Sequence, residues 1–303
     1  MGAILMRAGC FIAIIVLGHI LRRCGFFKED DFHILSKIVL KITLPAAIVS
    51  SVAGKEIDPS MLVLCLFGFG GGVLYMSIMY VLNLRSSKEK RAFEVLNISG
   101  YNIGTFTMPF VQSFLGPEGM LVTSLFDTGN SFVCLGGSYS VASMIRSGGG
   151  GFAVGKIVST LVHSVPFDTY ILMMVLNLIH IQLPEAVTTF AGIIGNANPF
   201  LAMLMLGVGF KLSGSREQLG AMARILLIRY GIAVVLAVVF FCFLPLPLEY
   251  RQALAFLVFS PISSAVPAFT ADLGEDFGLS SALNSISAMI SIVCIITVLV
   301  IVL

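Results

Sequence analysis

Long apolar stretches separated by short polar punctuation run the length of this chain. A helix crossing the hydrocarbon core needs roughly 20 residues. Breaking the chain at Gly, Pro and charge clusters predicts ten such segments, at 3–21, 34–54, 59–84, 92–115, 118–145, 164–183, 186–210, 218–243, 250–272 and 278–302. The stretch 153–163 reads as a short amphipathic lead-in to the sixth. The first apolar run follows Arg7 as in a signal peptide, but it reaches Arg22-Arg23 without a small-residue cleavage site. It is expected to be a retained span.

Composition makes lipid the solvent. Of 303 residues 57% are hydrophobic and 11% charged, with a mean hydropathy of +1.01, whereas a soluble domain carries roughly 25% charged residues. The net charge of +2 argues for no nucleic-acid partner. Cys10, Cys24, Cys65, Cys134, Cys242 and Cys294 form no C-x-x-C pair and no metal spacing with histidine. They read as small buried hydrophobes, and neither a metal nor another cofactor is implied.

Loop charges predict the orientation. Alternate loops place Arg22, Arg23, Lys28, Lys37, Arg85, Lys88, Lys90, Arg91, Arg146, Lys156, Lys211, Arg216 and Arg224 on one side, against Arg7, Lys55 and Arg251 on the other. Basic residues stay cytoplasmic, so both termini are expected outside. The glycine-rich loop Ser147-Gly148-Gly149-Gly150-Gly151 is then cytoplasmic.

The two halves echo each other. Met108-Pro109-Phe110-Val111-Gln112-Ser113-Phe114-Leu115-Gly116 aligns with Val266-Pro267-Ala268-Phe269-Thr270-Ala271-Asp272-Leu273-Gly274, and Pro45 in span two pairs with Pro199 in span seven. Five spans per half make the second half an inverted copy. The expected organisation is residues 1–146 as the first repeat, 147–152 as linker and 153–303 as the second repeat. Matched interruptions in inverted repeats point to a transporter site at the bilayer midplane; chance similarity between apolar helices is the alternative.

Pro109 and Pro267 each remove a helix bond, to Thr105 and Ser263. Small polar residues surround them: Ser99, Asn102, Thr105 and Thr107 in span four, and Ser260, Ser263, Ser264 and Thr270 in span nine. Two spans that free backbone groups in hydrocarbon must satisfy them, either at a shared watery cavity or as ordinary kinks bonded to neighbouring Ser and Thr. A half-helix starting after each break presents positive dipole to an anion.

Asn102-Ile103-Gly104-Thr105-Phe106-Thr107-Met108-Pro109, followed by Phe114-Leu115-Gly116, resembles the fourth-span signature of the auxin efflux carrier family. That family includes the plant PIN-formed carriers and bacterial relatives described as malate or malonate permeases. Ile42-Thr43-Leu44-Pro45 and Ala265-Val266-Pro267-Ala268-Phe269 resemble its second-span and ninth-span motifs. The resemblance implies an all-α polytopic fold like that of bile-acid sodium symporters, with ten transmembrane helices and broken spans four and nine in an X-shaped crossover. It also implies that Asn102, Pro109 and Pro267 line the substrate site, and that spans one, two, six and seven form a scaffold that dimerises. Span three departs from the plant carriers: it lacks their acidic and basic residues and has Gly68, Gly70, Gly71 and Gly72 instead.

Asp127 lies near mid-depth in span five, with Asn130 one turn on. A carboxyl there is costly; it is either a proton carrier coupling transport or a structural group that is protonated or paired. Arg229 in span eight either pairs with Asp127 or snorkels, and Lys41 is expected to snorkel to the cytoplasmic surface. Asp127-Thr128-Gly129 spells the aspartic-protease triplet, but that chemistry needs a second such carboxylate. Gly68 and Gly72 fit close helix packing, and no phosphate-loop, zinc-protease or nucleophile-elbow motif occurs.

The expected function is secondary transport of a small organic anion, such as a carboxylate or dicarboxylate, driven by a proton or electrical gradient across a bacterial inner membrane. The predicted substrate site comprises Asn102, Thr105, Thr107, Pro109, Ser263, Ser264 and Pro267, with Asp127 and Asn130 as the proton-coupling pair. No enzymatic activity is implied. A sodium-coupled symporter and a ligand sensor that moves nothing are the alternatives.

Overall fold

A computed structural model describes residues 2–28, 30–149, 154–210 and 219–302. Gly150, Gly151 and Ala153, and the loop cations Lys211 and Arg216, lie outside the described residues, as does the Lys156 side chain. The described residues are helical with no strand. The helices are α1 (Gly2–Arg23), α2 (Asp31–Ile38), α3 (Leu44–Val52), α4 (Val63–Leu82), α5 (Lys88–Ile98), α6 (Met108–Phe114), α7 (Gly116–Phe132) and α8 (Ser138–Ser147). They continue with α9 (Val154–Leu161), α10 (Val165–Leu178), α11 (Glu185–Gly195), α12 (Asn198–Gly209), α13 (Leu219–Phe243), α14 (Leu248–Leu257), α15 (Val266–Asp272) and α16 (Phe277–Val302).

Six helical segments among the described residues are long and apolar enough to cross a membrane: Leu5–Arg23, Asp31–Val52, Pro59–Leu82, Glu185–Gly209, Leu219–Phe243 and Phe277–Val302. The chain is therefore a polytopic α-helical membrane protein. The other four predicted spans are helical but interrupted, kinked or short. The fourth and ninth lose helix at 99–102 and 258–265. The fifth is bent at Leu135 and Gly136, and the sixth has 14 helical residues, Val165–Leu178. The lead-in to the sixth is present as α9.

Proline explains much of the irregularity. Wide turns with i→i+5 bonds, at Val39–Thr43 and Ile103–Thr107, run into α3 and α6, which carry Pro45 and Pro109 at their second residues. A proline ring clashes with the carbonyl four residues back, and a turn with one extra residue moves that carbonyl aside. α12 and α15 also carry proline second, at Pro199 and Pro267. α6 and α15 are both seven residues long and start 158 residues apart. Each is followed, at the same offset, by a glycine with left-handed backbone, Gly116 at φ 62° and Gly274 at φ 71°.

Packing sorts the helices into two groups. α1, α2, α3, α10, α11 and α12 form one group and α4, α5, α7, α8, α13, α14, α15 and α16 the other. They meet where α3 and α10 pack on α7 and α1 on α16, and α6 lies between α7 and α12. Small residues set the tightest contacts, as expected where lipid supplies no hydrophobic drive between helices. A Cβ on Gly207 would overlap the Ile15 carbonyl of α1, and one on Gly18 would crowd Leu204 of α12. In the second group a Cβ on Gly68 would overlap the Phe126 carbonyl, and one on Gly129 the Cys65 carbonyl. The glycine of the Asp-Thr-Gly triplet thus serves backbone approach between α4 and α7, and the G-x-x-x-G pair serves packing.

Candidate functional site

The two interruptions meet. After Ile98 the chain runs through Ser99 in extended conformation, Gly100 at φ 71° and Tyr101 to Asn102. The backbone N–H of Asn102 donates to the carbonyl of Pro261 at 2.9 Å. Beside that bond the Thr107 hydroxyl donates to Ser260 Oγ at 2.7 Å.

Freed backbone groups need partners in hydrocarbon, and here they find them in buried and half-buried side chains. Asn130 of α7 holds both main-chain polar groups of Tyr101, accepting from its N–H at 3.0 Å and donating to its carbonyl at 2.8 Å. Asn284 of α16 donates to the carbonyls of Ile262 and Ser263, each at 3.0 Å, and Ser287 Oγ accepts from the Ile262 N–H at 3.1 Å. The Arg229 guanidinium donates to the carbonyls of Ile98, Gly100, Ser260 and Pro261.

That last arrangement corrects the expectation for Arg229. It neither pairs with Asp127 nor snorkels: it is 1% exposed and spent on main-chain carbonyls of both interruptions. The reason is local. Two chain breaks leave several acceptors close together, and a planar group with five donors satisfies them together, which a single carboxylate contact would not do.

A cavity of about 330 Å³ opens beside the meeting point. Its walls come from both packing groups: Lys41, Leu44 and Tyr170 from one, and Asn102, Asp127 and Ser263 from the other. Of the residues predicted from sequence, Asn102, Thr105, Ser263, Ser264, Asp127 and Asn130 line it. Thr107, Pro109 and Pro267 do not: Thr107 is buried against Ser260, and the prolines sit in the first turns of α6 and α15.

Inside the cavity, the Asp127 carboxylate accepts from Asn130 Nδ2 at 2.7 Å and from the Tyr170 hydroxyl at 2.8 Å. The Thr105 hydroxyl donates to Asn102 Oδ1 at 2.6 Å. Lys41 is exposed and lines the same cavity, as does His163. The lining therefore includes a carboxylate, two amides and an ammonium. Such a site can take a small solute with an acidic end and a hydrogen-bonding end. Among the described residues no group of three or more His, Cys, Asp or Glu side chains could hold a metal ion.

Sequence reasoning missed Tyr101, Cys134, His163 and Tyr170 as cavity residues. Tyr170 sits in an otherwise plain apolar helix, and nothing in its spacing marks it. Tyr101 directly precedes Asn102 and was the one within reach of the motif.

Fold and site together define a polytopic helical membrane protein in which two interrupted helices meet beside a cavity lined in part by polar side chains. Residues 10–154 match the model of a family described as membrane transport protein, the auxin efflux carrier family, so the resemblance read from the 102–116 motif is borne out. The matched stretch includes Asn102, Pro109 and Asp127. A protein of Methanothermobacter thermautotrophicus described as an uncharacterized transporter is 25% identical over 203 residues, which cover 65% of this chain and 65% of that relative.

Proposed function

We propose that this protein is a secondary transporter that carries a small organic anion by alternating access. The observation that carries the reading is the polar cavity at the joint of the two interruptions, walled by both packing groups. Its volume of about 330 Å³ suits a small organic acid and lies at the small end of ligand sites. In this reading the ten helical segments form two inverted five-span repeats, 1–146 and 153–303, and the interrupted fourth and ninth spans cross. The shared offset of α6 and α15, with matching Pro and left-handed Gly, supports the repeat.

The group containing α1, α2, α3, α10, α11 and α12 is the scaffold in this proposal, with homodimerisation through spans one, two, six and seven. The other group moves, so the cavity changes the side on which it opens when one group slides past the other. Lys41 and Asn102 contact the anion, Thr105, Ser263 and Ser264 complete the polar wall, and Asp127 with Asn130 carries the coupling proton. The setting is a bacterial inner membrane with both termini extracytoplasmic.

The test is uptake of radiolabelled malate, malonate, pyruvate, indole-3-acetate and bile acid into proteoliposomes, with and without imposed proton or sodium gradients. Saturable flux of one anion that responds to the proton gradient or to membrane potential is the expected result. Strict sodium dependence would replace the coupling assignment. Binding without flux across tight vesicles would make the protein a sensor.

A further inference from the structure

Arg229 lies at the eleventh residue of α13, near the middle of a 25-residue helix, and is 1% exposed. A buried charge needs compensation, yet among the described residues Arg229 makes no ion pair. Its compensation consists of dipoles and rings. Nη1 donates to Ile98, and Nη2 lies 2.7 Å from the Gly100 carbonyl, 2.9 Å from that of Ser260 and 3.1 Å from that of Pro261. The guanidinium carbon stands 4.9 Å from the Tyr75 ring centroid and 5.5 Å from that of Tyr101.

Ile98 is the last residue of α5, and Ser260 and Pro261 follow shortly after α14 ends at Leu257. Of the four carbonyls, that of Ile98 stands at a helix C-terminus with the negative end of the dipole. Those of Gly100, Ser260 and Pro261 lie in the non-helical stretches, and that of Pro261 also accepts from the Asn102 N–H. Four converging carbonyls, two from each interruption and capped by two aromatic faces, have the chemistry of a cation site. The electrostatics call for positive charge at this point, whatever its covalent attachment.

We propose that Arg229 is a resident cation: the interruptions build a carbonyl cage for a positive ion, the chain fills it with its own side chain, and emptying the cage creates a binding site for a free guanidinium ion. A consequence is that α13 is tied to both interrupted segments and moves with them as one body. The proposal does not depend on what the cavity binds.

The experiment is thermal unfolding of the purified full chain in detergent. Arg229→Ala leaves buried carbonyls of both interruptions without their donor and should lower Tm by about 10 °C. Low-millimolar methylguanidinium should restore most of that loss, and equimolar choline should not. Failure of methylguanidinium to raise Tm, or equal recovery with choline, would overturn the proposal. If Arg229→Ala does not survive purification, Arg229→Lys and Arg229→Gln decide: lysine keeps the charge, and glutamine keeps only neutral donors. The lysine variant must then be the more stable, and the reverse order refutes a cation cage.

Discussion

The Tyr170 hydroxyl donates to Asp127 Oδ2 at 2.8 Å, joining a residue of α10 to one of α7 across the boundary between the two packing groups. If the groups slide past each other during transport, this bond breaks and re-forms in every cycle. Tyr170→Phe removes the donor with little change in volume. A hydrogen bond to a charged group contributes about 1.5–3 kcal/mol, so the variant should change KM or the maximal uptake rate by about tenfold or more. The thermal stability should move far less than the kinetics, and equal loss of both would make the bond structural.

Asp127→Asn keeps an acceptor for Tyr170 and removes the ionisable oxygen. Uptake driven by an imposed proton gradient should fall to the level seen without one, while binding of the substrate to detergent-solubilised protein persists. A variant that still responds to the gradient would take Asp127 out of coupling.

Asn102 has its backbone N–H on Pro261 and its side chain on Thr105, at the cavity wall. Asn102→Ala leaves the backbone bond in place and removes the amide. Anion affinity should drop by about tenfold, the worth of one good hydrogen bond of about 1.4 kcal/mol, with expression and Tm nearly unchanged. Unaltered binding in a folded variant would exclude the side chain from the site.

Two glycines two residues apart in α4 should behave in opposite ways. A Cβ at Gly68 would overlap the Phe126 carbonyl, whereas one at Gly70 meets nothing within 4 Å. Gly68→Ala must separate α4 from α7 and should lower Tm by several degrees, in line with an overpacking cost of about 1–3 kcal/mol. Gly70→Ala should be neutral or slightly stabilising, because alanine favours helix over glycine by about 1 kcal/mol. Thermal melts of the two variants side by side make the comparison.

Two ion pairs differ by burial. Glu94 is 2% exposed and accepts from Arg224 at 3.0 Å and from Asn83 Nδ2 at 2.8 Å. Lys55 and Glu118 meet at 2.6 Å, but their side chains are 33% and 43% exposed. The Arg224 side chain is 37% exposed and can turn to water, but Glu94→Ala leaves the buried Asn83 amide without that acceptor and should destabilise by about 1–3 kcal/mol. Glu118→Ala should cost below about 1 kcal/mol and lose its effect in high salt. Melts at two ionic strengths separate the cases.

Much of the architecture was legible because the bilayer reads coarse features. Apolar length places each helix and glycine permits close approach, so α4 and the Gly68 contact follow from local chemistry. The break expected at Pro109 instead falls at 99–102, upstream of a wide turn that accommodates the proline, whereas helix in span nine is lost up to Ala265, next to α15 and Pro267. The adjacency of Asp127 and Asn130 was equally readable, since three residues along a helix bring side chains to one face. Tyr170 was not, because its partner lies 43 residues away in sequence. Arg229 was misread for the same reason. A lone cation in an apolar span suggests a carboxylate partner, and nothing local reveals that four carbonyls from two distant breaks converge on it.

Residence in lipid, the helical segments, and the prolines and small polar residues of spans four and nine are all legible in the chain. These are properties of short stretches of chain in a low-dielectric solvent. Which freed groups satisfy which is visible in the folded molecule alone. Asn102 meets Pro261, Asn130 clasps the main-chain N–H and carbonyl of Tyr101, and Arg229 gathers carbonyls from both halves. The physical reason is that a buried backbone group must be paired while many donors would serve. Helix packing selects among them, and it depends on the shape of the whole molecule.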